Sequence, residues 1–235
     1  MRSRLDFLTA ASALSAATFL PHAALGATGA VEAAADPDSP ETVMPAEALA
    51  RLKAGNARFV SGAMTNPRQT AARRKAVAPK QRPFASIVAC SDSRSAPETI
   101  FDQGIGDLFV VRLAGNVVDD AALGSLEFAT LHFGTGLIVV LGHSHCGAVA
   151  ATLDAIDAGK TSAPGSIGAI VSLIQPSVKG IPKGPDRMNT AIDTNAKSVV
   201  EKVAGSSVFG PKIAAKTVQV VAAHYDITSG TVTWL

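Results

Sequence analysis

A single α/β domain built on a mainly parallel sheet is the fold this sequence predicts, and three observations predict it. Short apolar runs without alternation, bounded by turn residues, read as strands buried on both faces. Segments with apolar residues at helical spacing lie between them, so strand and helix alternate along the chain. Residues 225–235 carry Ser229-Gly230 between two strand-like pieces, which reads as a closing hairpin. About four parallel strands plus a C-terminal antiparallel edge strand are expected, flanked by helices, with an N-terminal helical arm ahead of them.

The elements follow in order. Residues 45–62 place Leu49, Leu52, Ala57, Phe59 and Val60 at helix-like spacing, and Gly62 stops the helix. Residues 65–82 are polar and basic, with a short helix expected around 71–77. The apolar run over 84–89 ends at Cys90 and reads as a buried parallel strand. A helical turn over 97–101 leads to a second strand over 108–113. Residues 120–133 are amphipathic, with Leu123, Leu126, Phe128, Ala129 and Leu131 near one side. A third strand over 137–141 runs straight into a helix over 145–158, stopped by Gly159. Helices over 167–174 and 191–204 are separated by a Pro/Gly-rich connection over 176–185, and a fourth strand covers 217–223. Ligands of parallel sheets gather beyond the carboxyl ends of the strands, and Cys90 and His143 fall just past two of those ends.

Composition bounds the function. The chain has 235 residues, 47% hydrophobic and 17% charged, which suits one globular domain with a substantial core. Arg2 and Arg4 precede a broken apolar stretch over 5–25, with small residues at Gly26 and Ala27. That order reads as an export signal over 1–26, by the general route or a degenerate twin-arginine one, and implies a periplasmic protein. Residues 27–45, rich in Ala, Asp, Pro and Ser, read as a flexible linker, and 46–235 as the catalytic domain. The formal charge is +2, and removing 1–26 leaves 19 basic and 18 acidic residues, a balance of +1. So neutral a chain has no bulk attraction for nucleic acid or acidic membranes, and no stable membrane span is expected after cleavage.

The chemistry concentrates in two clusters. The first is Cys90-Ser91-Asp92-Ser93-Arg94 and the second is Gly142-His143-Ser144-His145-Cys146-Gly147. Two thiolates and one imidazole, from Cys90, His143 and Cys146, make a natural donor set for tetrahedral zinc, one ion per chain. Three protein donors leave a fourth position for water or a carboxylate, and Asp92 is the candidate that would close it. Such a zinc makes bound water acidic enough to give hydroxide near neutral pH. Asp92 is then expected to accept that hydroxide's hydrogen bond and Arg94 to fix the carboxylate. The competing reading is a structural Cys90–Cys146 disulfide, the ordinary state of two cysteines in an exported chain. It gives no reason for the neighbouring Asp, Arg and His. His145, beside Cys146, reads as a supporting or helix-terminal residue, and His132 and His224 as ordinary surface or satisfied core residues. No G-x-G-x-x-G opens a helix, so a nicotinamide site has no sequence support.

These motifs resemble the signature of β-class carbonic anhydrases, C-x-D-x-R followed by H-x-x-C. The resemblance extends through 81–84, 106–112, Gly115-Asn116, 125–128 and Tyr225-Asp226, and covers about 46–235. It implies a zinc lyase that reversibly hydrates carbon dioxide to bicarbonate and a proton. It also implies a homodimer or higher homo-oligomer, with N-terminal helices wrapping the neighbour and active sites at the interface. Carried over by position, Cys90, His143 and Cys146 hold zinc, and Asp92 with Arg94 forms the catalytic dyad. Gln81 matches the family's substrate-pocket glutamine, Phe109, Ala114 and Phe128 line an apolar pocket, and Gly147 joins the substrate-binding residues. Ala114 replaces a branched aliphatic residue and Phe128 a tyrosine found in plant-type members. Those departures keep open a second enzymatic reading, hydrolysis of carbonyl sulfide or carbon disulfide on the same fold. A non-catalytic envelope protein held by zinc or a disulfide is the remaining alternative.

Overall fold

The computed structural model describes residues 43–235. The export signal expected over 1–26 lies outside the described residues, as does the linker apart from residues 43–45, where Val43 and Pro45 are buried. Helix α1 spans Pro45–Ser61 and opens on a proline, whose missing N–H costs nothing at a helix start. Gly62 ends it in the left-handed region at φ 72°. Helix α2, Ala71–Val77, is capped by Thr70, whose hydroxyl accepts from Arg73 N–H at 3.1 Å. Strand β1, Ala85–Ala89, is followed by α3, Pro97–Ile100, and β2, Leu108–Arg112. A 3₁₀ turn over Ala114–Asn116 leads to α4, Asp120–Phe133, capped by Asp119 on Ala122 N–H at 2.8 Å. Then come β3, Leu137–His143, and helices α5, Gly147–Asp157, α6, Ile167–Val178, α7, Arg187–Ala204, and α8, Phe209–Ala214. Strands β4, Gln219–Tyr225, and β5, Val232–Trp234, close the chain.

The sheet order is β2-β1-β3-β4-β5; the first four strands are parallel and β5 pairs antiparallel with β4. This is the predicted architecture. Strand residues sort by alternation onto two faces. Ala85, Ile87 and Ala89 of β1 and Leu137, Val139 and Leu141 of β3 pack with Ala48 and Leu52 of α1 and with Ile100 and Phe101. Val88, Ile138 and Val140 face the other way, against Leu126 of α4, Ala196, Val199 and Val203 of α7, and Phe209. A third cluster, of Val149, Leu153, Ile174, Val178 and Ile192, joins α5, α6 and α7 around Cys90 and Cys146. It is this cluster that seats the candidate site.

Several boundaries differ from the sequence reading, α7 opening at Arg187 and β4 spanning Gln219–Tyr225 among them, and one short helix is added. Strand β3 runs on to His143, because its pairing with β4 continues as far as His143 opposite Tyr225. Helix α5 starts at Gly147 and not at 145, since His145 sits at φ 57°, which no right-handed helix accommodates. Helix α6 continues through Pro176 to Val178, because Val171, Ile174 and Val178 keep one buried stripe across the proline. Helix α8 was hidden by Gly210 and Pro211; the fully buried Phe209 anchors it.

Candidate metal centre

The first ligand segment is the loop that leaves β1. Cys90 follows the last strand residue and is buried, and its Sγ accepts from the N–H of Gly115 at 3.2 Å and of Asp92 at 3.4 Å. The Gly115 N–H is available because Gly115 takes φ 71°, and a Cβ there would lie 2.6 Å from Ile174 Cδ1. Asn195 of α7, also buried, steadies the same turn by donating to Gly115 O at 2.9 Å. The carbonyls of Cys90 and Asp92 accept from Arg112 Nε at 2.9 Å and Nη2 at 2.5 Å, and from Ser95 Oγ at 3.3 and 3.0 Å.

The second segment is the turn that leaves β3. His143 is fully buried, and its Nδ1 lies 2.9 Å from Ser144 O, which sets that nitrogen as the donor and leaves Nε2 as a lone pair. Nε2 is buried and has no hydrogen-bond partner among the described residues. Such an orphaned acceptor calls for a partner the protein chain does not supply. Cys146 is buried at the residue before α5, where the positive end of the helix faces its sulfur.

The two segments converge. One donor atom each from Cys90, His143 and Cys146 lie within 4.8 Å of one another, and both cysteines are free thiols. Tetrahedral zinc holds sulfur and nitrogen donors about 3.6–3.8 Å apart, a spacing this bound admits. The donor set, the burial and the orphaned nitrogen all fit zinc. The thiols are already polarised. A hydrogen bond from Cys146 holds Cys90 well below the ordinary thiol range, against the effect of burial and with help from the Gly115 and Asp92 amides. The same bond, with burial, pushes Cys146 up. Burial works against an imidazolium at His143, but the neighbouring Cys90 thiolate outweighs it and raises the ring's basicity.

Asp92 and Arg94 lie in the loop that carries Cys90, close enough that Asp92 N–H donates to Cys90 Sγ. Arg94 donates from Nε to Asp92 Oδ1 at 2.9 Å and from Nη2 to Oδ2 at 2.7 Å, and its backbone N–H reaches Oδ1 at 2.9 Å. That fork holds the Asp92 carboxyl far below the usual carboxylate range. Arg94 is about half exposed and Asp92 mostly covered, so the pair faces water on one side only.

The remaining candidates divide. Ala114 directly precedes Gly115, and Gly147 directly follows Cys146 and is exposed, so both border the cluster. Gln81 is exposed ahead of β1, at the end of the sheet away from Cys90. Phe109 pairs with Ser86 at that same end and stands 6.2 Å from Phe133, ring to ring. Phe128 of α4, 48% exposed, packs on Phe133 at 5.4 Å and His132 at 4.3 Å. Within one chain these three are not gathered at the thiols. His145 is exposed beside the cluster without joining it, and His224 is bonded to Asp193 at 2.6 Å. The sequence reading missed Arg112, Gly115 and Asn195 as supports of the site. The available signals were a lone charge ending an apolar strand and a lone amide within the buried stripe of α7.

Comparison with known proteins agrees with this geometry. The family profile described as carbonic anhydrase matches residues 85–232. A carbonic anhydrase of Mycolicibacterium smegmatis is 43% identical over 193 residues, 80% of this chain and 92% of that protein. Carbonic anhydrase 2 of Mycobacterium tuberculosis is 42% identical over 188 residues, 79% of this chain and 90% of the relative. Among solved structures, the β-carbonic anhydrase CcaA superposes with a TM-score of 0.62 at 22% identity, covering 79% of this chain and 94% of its own. The tetrameric β-carbonic anhydrases of Sordaria macrospora give 0.62 at 24% identity, covering 80% and 95%. At those identities the superpositions speak for the fold, and the sequence relatives and the profile for the lineage. This chain belongs to the β-carbonic anhydrase family.

Proposed function

We propose that the protein catalyses the reversible hydration of carbon dioxide to bicarbonate and a proton, with one zinc held by Cys90, His143 and Cys146. The observation that carries the reading is the convergence of three buried donor atoms within 4.8 Å, one of them a nitrogen with no partner in the chain. Zinc bound there supplies an acidified water, an effect for which carbonic anhydrase is itself the standard illustration. The chain's part is orientation. Arg94 keeps the Asp92 carboxylate ionised and fixed in plane, and the lone pairs it leaves unused accept a hydrogen bond from the reacting water. Ala114 and Gly147 add little bulk and no side-chain polarity around the approach, which suits a small nonpolar gas. The test is stopped-flow hydration of carbon dioxide by residues 27–235, with metal analysis, before and after a zinc chelator. One zinc per chain and chelator-sensitive turnover support the reading. Turnover of carbonyl sulfide alone would reassign the substrate.

A homo-oligomer, with a dimer as its smallest unit, belongs to the same proposal. Its support is that Gln81, Phe109 and Phe128 lie away from their own chain's thiols, so only a second copy can use them there. Phe128 and Leu131 also leave an apolar face on α4, 48% and 57% exposed. The Sordaria macrospora neighbours are themselves described as tetrameric. Sedimentation of the purified chain tests this. Export is proposed from the order of Arg2, Arg4, the apolar 5–25 stretch and Gly26. A mature N-terminus at Ala27, read by mass spectrometry of the secreted fraction, tests it. No helix among the described residues is long and apolar enough to cross a membrane.

A further inference from the structure

The dyad works only if its loop is fixed relative to Cys90, and we infer that Arg112 is the positioning residue that fixes it. The inference rests on the carbonic anhydrase reading for its kinetics and on the hydrogen-bond pattern for its geometry. Strand β1 ends at Ala89, whose carbonyl takes the N–H of Leu113 at 3.2 Å. Beyond that point the chain turns out of the sheet, and the carbonyls of Cys90 and Asp92 have no strand opposite them. Arg112, the last residue of β2 and in register with Ala89, reaches across the gap. Its Nε donates to Cys90 O at 2.9 Å and its Nη2 to Asp92 O at 2.5 Å.

One rigid planar fork therefore spans a metal ligand and the dyad carboxylate's own residue. Ser95 Oγ touches the same two carbonyls, but Ser95 belongs to the loop and moves with it. Arg112 belongs to the sheet, so it alone of these two ties the loop to the rigid frame. Among the described residues it makes no ion pair; its donors go to backbone oxygens instead of to an acid. A charged residue used in that way sets a geometry. The loop it holds is the one whose amides grip the dyad internally, Arg94 N–H to Asp92 Oδ1 at 2.9 Å and Ser95 N–H to Asp92 O at 3.1 Å.

The experiment compares the parent enzyme with Arg112→Ala and Arg112→Lys. Arg112→Ala is expected to lower kcat about 100-fold by misplacing the carboxylate, with KM within about threefold and zinc still stoichiometric. Arg112→Lys, whose ammonium cannot fork to both carbonyls, is expected to lose about 10-fold. Added guanidinium should recover at least about fivefold in Arg112→Ala and nothing in the parent. Hydrogen exchange on the metal-free proteins gives a readout free of activity. The Arg94 and Ser95 amides should exchange at least about 10-fold faster in Arg112→Ala, with β3 unchanged. A kcat within twofold of the parent and parental exchange would overturn the inference. So would loss of protection throughout the sheet without guanidinium rescue, which marks a general brace. Should Arg112→Ala not fold, Arg112→Lys decides by the same two measurements. A parent that holds zinc and hydrates no carbon dioxide defeats the carbonic anhydrase reading, and the exchange data then judge Arg112 alone.

Discussion

The two ligand segments do the same work by different means. The turn at His143 is held by the sheet itself: β3 stays paired with β4 to the ligand, Ser144 N–H donates to Tyr225 O at 2.9 Å, and Ser144 Oγ accepts from Ile227 N–H at 2.9 Å. The loop at Cys90 has left the sheet and is held by side chains and one glycine turn, from Arg112, Ser95 and Gly115. One segment inherits its position from the ladder, and the other is placed by a handful of separate bonds. The ladder-held segment is the robust half of the site. The segment carrying the Asp92–Arg94 ion pair is the one built from separate contacts, and its Arg94 is half exposed.

Substitutions put this contrast to the test. The largest effect is expected from the ladder-held segment. His143→Ala should abolish stoichiometric zinc by metal analysis and reduce hydration by at least ~1000-fold, since a third ligand is gone. Next comes Asp92→Asn in the loop, which should keep zinc and lower kcat by about 100–1000-fold, because orientation is lost and the ligands are not. If both variants lost zinc equally, the division between holding and orienting would fail. Gly115→Ala should cost about 1–3 kcal/mol in denaturant unfolding, since its Cβ would meet Ile174 Cδ1 at 2.6 Å in a left-handed backbone. Smaller still, Ser144→Ala should cost about 1 kcal/mol and leave kcat within about threefold, because the paired strands keep His143 in place without the hydroxyl.

The smallest effect concerns the far end of α5, the helix that begins beside Cys146. Asp157 there accepts from Arg187 Nη1 at 2.7 Å and Nη2 at 2.9 Å, and the pair lowers its pKa to about 2. A depressed carboxylate stabilises the fold above its ordinary value of 3.8 and loses that contribution as pH falls through about 2. Acid titration of stability should therefore show Asp157→Asn differing slightly from the parent above pH ~4 and converging with it below pH ~2. Salt should shrink the difference, because the carboxylate is exposed.

The same contrast explains what could be read in advance. Cys90, Asp92, Arg94, His143 and Cys146 were legible because each cluster is contiguous, and donor type alone argues for a shared ion. The alternation of apolar runs and amphipathic segments gave away the sheet and its hairpin. Arg112 was not legible as a support, because its meaning lies in the register that sets it opposite Ala89. Asn195 looked like any polar helix residue until the fold turned it toward Gly115 O. The disulfide alternative for Cys90 and Cys146 was reasonable on compartment grounds, yet both are free thiols with His143 beside them. Helix α6 ran through Pro176 because a stripe of burial outweighs one missing N–H near a helix end.

Gly142 shows how the site can be reached from behind. A Cβ there would stand 2.9 Å from Ile192 Cγ2, so α7 rests on the sheet through a space that only a missing side chain leaves open, one residue before His143. A single methyl group added at this spot would lift the helix that carries Asn195 and disturb both ligand segments at once. Temperature-sensitive variants with every side chain of the candidate site intact should therefore arise here.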